Sequence, residues 1–107
     1  MTWCVVFTKP QKETLALSKL SEQGFTAYLP MHQVETIARR TRCVVWRPYF
    51  PRYLFIQQNE MCIQKQHAIK NTPGISYMIK NGELAVSVDD SIIESIQFVL
   101  DLNKHSY

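Results

Sequence analysis

The chain has 107 residues, of which 46% are hydrophobic and 11% aromatic; that is one domain's length with one core, and too apolar for a disordered chain. The longest apolar runs, such as Cys43-Val44-Val45-Trp46, are too short to cross a bilayer, and no basic segment precedes an apolar one at the N-terminus, so neither a membrane span nor a secretory signal is expected. The net charge is +3, and the three cysteines, Cys4, Cys43 and Cys62, match neither a disulfide nor a zinc pattern, which points to free thiols in a reducing, cytoplasmic setting.

Trp3 to Phe7 is a continuous apolar run and reads as a buried central strand. Thr8 with Gln11 three residues on suggests a capping box for a helix over residues 10–23, with Ala16, Leu17 and Leu20 as its apolar stripe. Gly24 ends that helix, and Phe25 is placed to fold back on Leu20. A short strand over 26–29 runs into Pro30, and His32 follows in a loop. Residues 34–38 and 43–47 are β-prone and flank Arg39-Arg40-Thr41-Arg42, which predicts a hairpin with a basic tip. Pro48 and Pro51 bracket a tight corner before a buried strand over 53–56. Residues 61–70 are weakly helical, Thr72-Pro73-Gly74 is a turn, 75–79 is a strand, and Asn81-Gly82 is a second turn. The last helix is the clearest. Asp89 is its N-cap, Val88 and Ile93 form a hydrophobic staple, and Ile92, Ile93, Ile96, Val99 and Leu100 recur at helical spacing. The order β-α-β-(hairpin)-β-α-β-α predicts an antiparallel α+β sandwich with helices on a central sheet.

Little in the chain is suited to catalysis. It has three glycines and no Gly-rich phosphate loop, no paired His or Cys ligands, and three histidines, His32, His67 and His105, that stand apart from any nucleophile. No catalytic, metal or cofactor site is predicted, and the chain reads as a binding protein, not an enzyme. Charge is unevenly spread. All five arginines, Arg39, Arg40, Arg42, Arg47 and Arg52, fall in one stretch, with no acid between Glu35 and Glu60, whereas Glu83, Asp89, Asp90, Glu94 and Asp101 make the C-terminal part acidic. An arginine-tipped hairpin with Trp46 and Tyr49 nearby suits phosphates and unstacked bases. The bland alternative is that the arginines keep exposed strand edges soluble. The aromatics Trp3, Phe7, Phe50, Tyr53 and Phe55 fit either a core or an open apolar cup for a protein partner.

Several blocks together resemble the N-terminal (NGN) domain of NusG-type transcription factors. They are Trp3, Gly24-Phe25, Tyr28-Leu29-Pro30, Pro48-Tyr49-Phe50-Pro51-Arg52-Tyr53-Leu54-Phe55-Ile56 and Asn71-Thr72-Pro73-Gly74-Ile75. The resemblance covers almost the whole chain and is closer to the specialised RfaH-like paralogues than to the housekeeping factor. It implies a ferredoxin-like, central antiparallel four-stranded sheet flanked by helices, with a protruding basic hairpin, over residues 1–107. It also implies a monomeric, cytoplasmic elongation or antitermination factor, without cofactor or membrane contact. Such a factor bridges the largest (β′) and second (β) subunits of RNA polymerase and touches the non-template DNA strand.

By this resemblance Val5, Phe7, Tyr53, Phe55, Ile93 and Ile96 would form the pocket for the β′ clamp helices. Gln64, Lys65, Gln66 and His67 would face the β gate loop, and Lys9, Lys12, Lys19, Gln23, Arg39, Arg40 and Arg42 would contact DNA. Pro73 departs from the specialised pattern, in which a basic residue can stand there. The chain stops at Tyr107, where relatives continue into a small β-barrel (KOW) domain, so that domain is expected to be absent. The rival expectation is a free-standing single-stranded nucleic-acid-binding domain with no polymerase partner.

Overall fold

The computed structural model describes residues 2–58, 63–82 and 84–104. Of the residues discussed above, Glu60, Met61, Cys62, Glu83, His105 and Tyr107 lie outside the described residues. In chain order the elements are β1 (Thr2–Thr8), α1 (Glu13–Glu22), β2 (Ala27–Tyr28), β3 (Met31–Ala38), β4 (Thr41–Pro48) and β5 (Tyr53–Gln57). There follow α2 (Ile63–Lys70), β6 (Ile75–Met78), β7 (Lys80–Asn81), β8 (Leu84–Ala85), β9 (Ser87–Asp89) and α3 (Asp90–Lys104).

β1 organises the sheet because its side chains alternate between two buried faces. Cys4, Val6 and Thr8 are wholly buried on one face, and Trp3, Val5 and Phe7 point to the other. β1 pairs antiparallel with β5 along one edge. On the other edge it pairs with β6 at Val6–Thr8 and with β9 at Thr2–Cys4. β2 closes the far side of β5, giving the order β2-β5-β1-β6. The sheet is therefore four strands wide, as expected, but holds five strands, because β6 and β9 share one edge of β1. β3 and β4 form a ribbon of their own, and β7 and β8 a small hairpin. β7, β8 and β9 were not predicted, Asn81 having been read as part of a turn; segments of two or three residues carry no readable period.

Two apolar layers sandwich the sheet. On the inner face Cys4, Val6, Leu54, Ile56, Ile75 and Met78 pack against Ala16 and Leu20 of α1 and Ile69 of α2. On the outer face Val5 and Phe55 pack against Ile93 of α3, with Trp3, Tyr28, Val88 and Ile96 around them.

The helix ends explain how these layers are held. α1 stops in a Schellman motif: Gly24 N–H donates to Ser21 O (3.0 Å) and Phe25 N–H to Leu20 O (3.1 Å), with Gly24 at φ +89° and Phe25 packed on the inner core. The predicted start of α1 is corrected. It begins at Glu13, and Lys12, the N-cap, makes no side-chain cap bond. Thr8 is the last residue of β1, where its N–H donates to Arg52 O (2.8 Å), and it stands too far before Glu13 to cap the helix. Gln11, at φ 59°, is out of helical conformation. α3 begins as predicted: the carboxylate of Asp89 accepts from the Ser91 N–H (3.2 Å) and hydroxyl (2.7 Å), which hold its carboxyl below the usual range. Val88 and Ile93 meet in the outer core. Trp3 Nε1 donates to Asp90 Oδ1 (2.6 Å), tying β1 to the start of α3.

Candidate functional site

Strand alternation sends Trp3, Val5 and Phe7 of β1 and Tyr53 and Phe55 of β5 to the outer face of the sheet, and α3 covers one half of it. Val5 (9% exposed), Phe55 (7%) and Ile93 (3%) are thereby closed into the core. These three pack together under α3 and form the floor beside the open half. The half left uncovered is aromatic. The half-buried Phe7 stacks edge-on with Tyr53 (5.3 Å between centroids) and tilted on Tyr77 (5.1 Å). Tyr53 is 39% and Tyr77 48% exposed. Phe50, also exposed, leans edge-on against Phe55 (6.4 Å), and Ile96 stays half-buried at the margin. A row of edge contacts continues from Phe50 to Tyr49 (4.9 Å) and His32 (5.0 Å). His32 lies on β3 opposite Arg47, not in a loop.

The Pro48–Pro51 corner sets this face. Beyond it Arg52 takes φ 72°, a conformation that is strained for a residue with a side chain. Three contacts hold it there. Its Nε donates to Thr8 O (3.0 Å), its N–H donates to the buried carboxylate of Glu13 (3.3 Å), and its guanidinium sits 4.0 Å above the Phe7 ring centroid. Arg52 is thus a strut joining α1, β1 and β5, not a free surface charge.

The basic residues fall into two places. Lys9 and Lys12 are exposed on the turn after β1, which is pinned to the Thr72-Pro73-Gly74 turn by Lys9 N–H donating to Gly74 O (2.9 Å). Gln23 belongs there too, but its side-chain amide already donates to Thr72 Oγ1 (2.8 Å) and Lys19 O (3.2 Å). Lys19 pairs with Glu22 at 3.5 Å. The other group, Arg39, Arg40 and Arg42, stands on the separate ribbon. The predicted four-residue tip is tighter: β3 and β4 pair through Ala38↔Thr41, leaving a two-residue turn with Arg39 at φ 51° and Arg40 at φ 67°. Arg42 reaches Glu35 across the ribbon at 3.6 Å, an exposed contact of small worth.

Gln64, Lys65, Gln66 and His67 lie on α2, with Gln64 and His67 exposed. Gln66 and His67 line a hollow of about 250 Å³ together with Lys70, Tyr77, Met78 and Lys80. A second hollow, of about 410 Å³, opens between the ribbon's root and α3, beside Tyr28, Trp46, Leu100 and Asp101. Burial, and then the charge of Asp101, raise the Tyr28 hydroxyl above its ordinary range.

Sequence reasoning did not single out Tyr77 or the exposed Ile37 and Val44, which share one ribbon face with Trp46. Tyr77 could have been found by asking what pairs with Phe7; the ribbon face carries no such signal, since Cys43-Val44-Val45-Trp46 is apolar without a break and the face also holds Gln33, Glu35 and Arg42. No described helix is long and apolar enough to cross a membrane.

These features define an α+β domain with an exposed aromatic sheet face and an arginine-tipped ribbon. A family model described as "Transcription termination factor nusG" matches residues 1–97, and the chain belongs to the NusG family of transcription factors. Its fold is similar to a solved structure titled "Domain interaction in Thermotoga maritima NusG", with a TM-score of 0.65 and 17% identity. That match covers 98% of this chain, which spans 60% of the other's length. At that identity the likeness establishes the fold.

Proposed function

We propose that residues 1–107 act as a polymerase-binding NGN domain that modifies elongation by bridging, without covalent chemistry. The open aromatic face of Phe7, Phe50, Tyr53 and Tyr77 carries this reading. A large exposed apolar patch on a rigid sheet marks a protein partner, and a coiled-coil ridge such as the β′ clamp helices fits a flat, ring-lined surface flanked by a helix. Val5, Phe55, Ile93 and Ile96 support that face from beneath and beside it. Gln64, Lys65, Gln66 and His67, on α2, face the β gate loop, with Gln66 and His67 at the seam where α2 meets the aromatic face beside Tyr77, and the two contacts hold the clamp closed in the cytoplasm.

Arg39, Arg40 and Arg42, with Lys9, Lys12, Lys19 and Gln23 on the other patch, contact the non-template DNA strand, in the manner of the specialised paralogues. One observation favours a role for the hairpin tip beyond solubility. Two-residue turns with both φ values positive favour Asn-Gly, and two arginines stand there against that preference.

The test measures affinity of purified variants for the polymerase elongation complex. Tyr53→Thr keeps β-propensity and removes one exposed ring; binding is expected to weaken about tenfold, or roughly 1.4 kcal/mol, with the fold intact. Arg39→Asn/Arg40→Gly is expected to fold at least as stably, to keep its polymerase affinity without nucleic acid, and to lose part of the salt dependence with it. Unchanged binding by Tyr53→Thr sinks the polymerase reading. Tight binding of naked single strands would favour the free-standing nucleic-acid module instead.

A further inference from the structure

The hollow between α2 and the β6–β7 connection is lined by Gln66, His67, Lys70, Tyr77, Met78 and Lys80, so every ionisable side chain on it except the tyrosine is a base. Met78 is buried and gives it an apolar floor. Lys70 and Lys80 are exposed at its rim, and among the described residues neither meets a carboxylate within ion-pair distance. An anion entering the hollow meets two ammonium groups that have no carboxylate partner of their own among the described residues. Tyr77 joins this hollow to the aromatic face, because its ring lies against Phe7 on one side and lines the hollow on the other.

At about 250 Å³ the space is below the usual range for a drug-sized ligand and suits one inserted side chain. A phosphate backbone, by contrast, runs along open basic surface, as the turn after β1 and the ribbon tip provide. We infer that the hollow receives an acidic side chain of the protein partner that covers the aromatic face, its carboxylate lying between Lys70 and Lys80. This rests on the polymerase reading above and adds the partner's chemistry: an apolar ridge followed by a glutamate or aspartate.

The experiment is competition binding of the full chain to polymerase free of nucleic acid, at two salt concentrations. It compares wild type, Tyr53→Thr, Lys70→Glu/Lys80→Glu and Lys70→Gln/Lys80→Gln, each checked for an unchanged fold by circular dichroism. The reversed pair is expected to bind roughly tenfold or more weakly at low salt, with the difference shrinking at high salt, and the neutral pair to lie between it and wild type. If Tyr53→Thr binds like wild type, the polymerase reading falls and takes this inference with it. If Tyr53→Thr weakens binding and both lysine pairs bind like wild type, the inference alone falls. If the lysine pairs are weakened only on complexes assembled with nucleic acid, the anion is a phosphate and the inference is overturned.

Discussion

Thr8 is wholly buried at the end of β1, and its hydroxyl has no hydrogen-bond partner. Local pattern made it a helix cap; its strand position decides otherwise, because the backbone on either side is committed to Arg52 and Gly74. A buried hydroxyl without a partner is destabilising by about 1–3 kcal/mol. Thr8→Val keeps the branched shape, and it is expected to raise stability by about 1 kcal/mol, read as a higher urea midpoint at unchanged slope. Lower stability would mean that the hydroxyl is bonded after all. Arg52 shows the same limit of local reading. In the sequence it is one more cation in a basic stretch, but its contacts with Thr8, Glu13 and Phe7 turn it inward. Those partners lie far along the chain, where no spacing rule reaches.

Among the elements, those with strong local signals were legible, while those formed by tertiary pairing were not. The stop of α1 followed from Gly24-Phe25, and the start of α3 from Val88, Asp89 and Ile93, because capping chemistry acts within a few residues. The hairpin was legible from its β-prone arms, but its length and two-residue turn were not. Gly74 separates two uses of glycine. Both Gly24 and Gly74 have positive φ, but a Cβ at Gly24 meets nothing within 4 Å. At Gly74 it would stand 3.0 Å from Lys12 O and 3.2 Å from Ala16 Cβ. Gly24→Ala should therefore lose about 1 kcal/mol, from backbone strain alone. Gly74→Ala should lose about 2–3 kcal/mol, since it must also push α1 away. Chemical denaturation of the two variants checks the order; equal losses would show that α1 moves freely off the turn.

At the scale of the whole molecule, the central strand carries a pH signature. Burial pushes the Cys4 thiol from its ordinary 9.0 up to about 11. The folded state then holds this proton more tightly than the unfolded chain does. The resulting stability is fully present below pH 9 and is lost as pH rises toward 11, about 3 kcal/mol in all. Cys4→Ala should be less stable at neutral pH through lost packing, yet fall less steeply across that window. Parallel decline of the two proteins would show that Cys4 is not the group responsible.

Composition, local pattern and spacing determined by themselves the α+β fold class and a basic hairpin, and the proline-bracketed aromatic block carried the resemblance to the family. Short-range chemistry writes such features, because caps, turns and strand alternation depend on near neighbours. Only the tertiary structure decided which aromatics stay open. α3 lies over Val5 and Phe55 and leaves Phe7, Tyr53 and Tyr77 uncovered. Exposure is a property of what packs above a side chain, and that partner comes from elsewhere in the sequence.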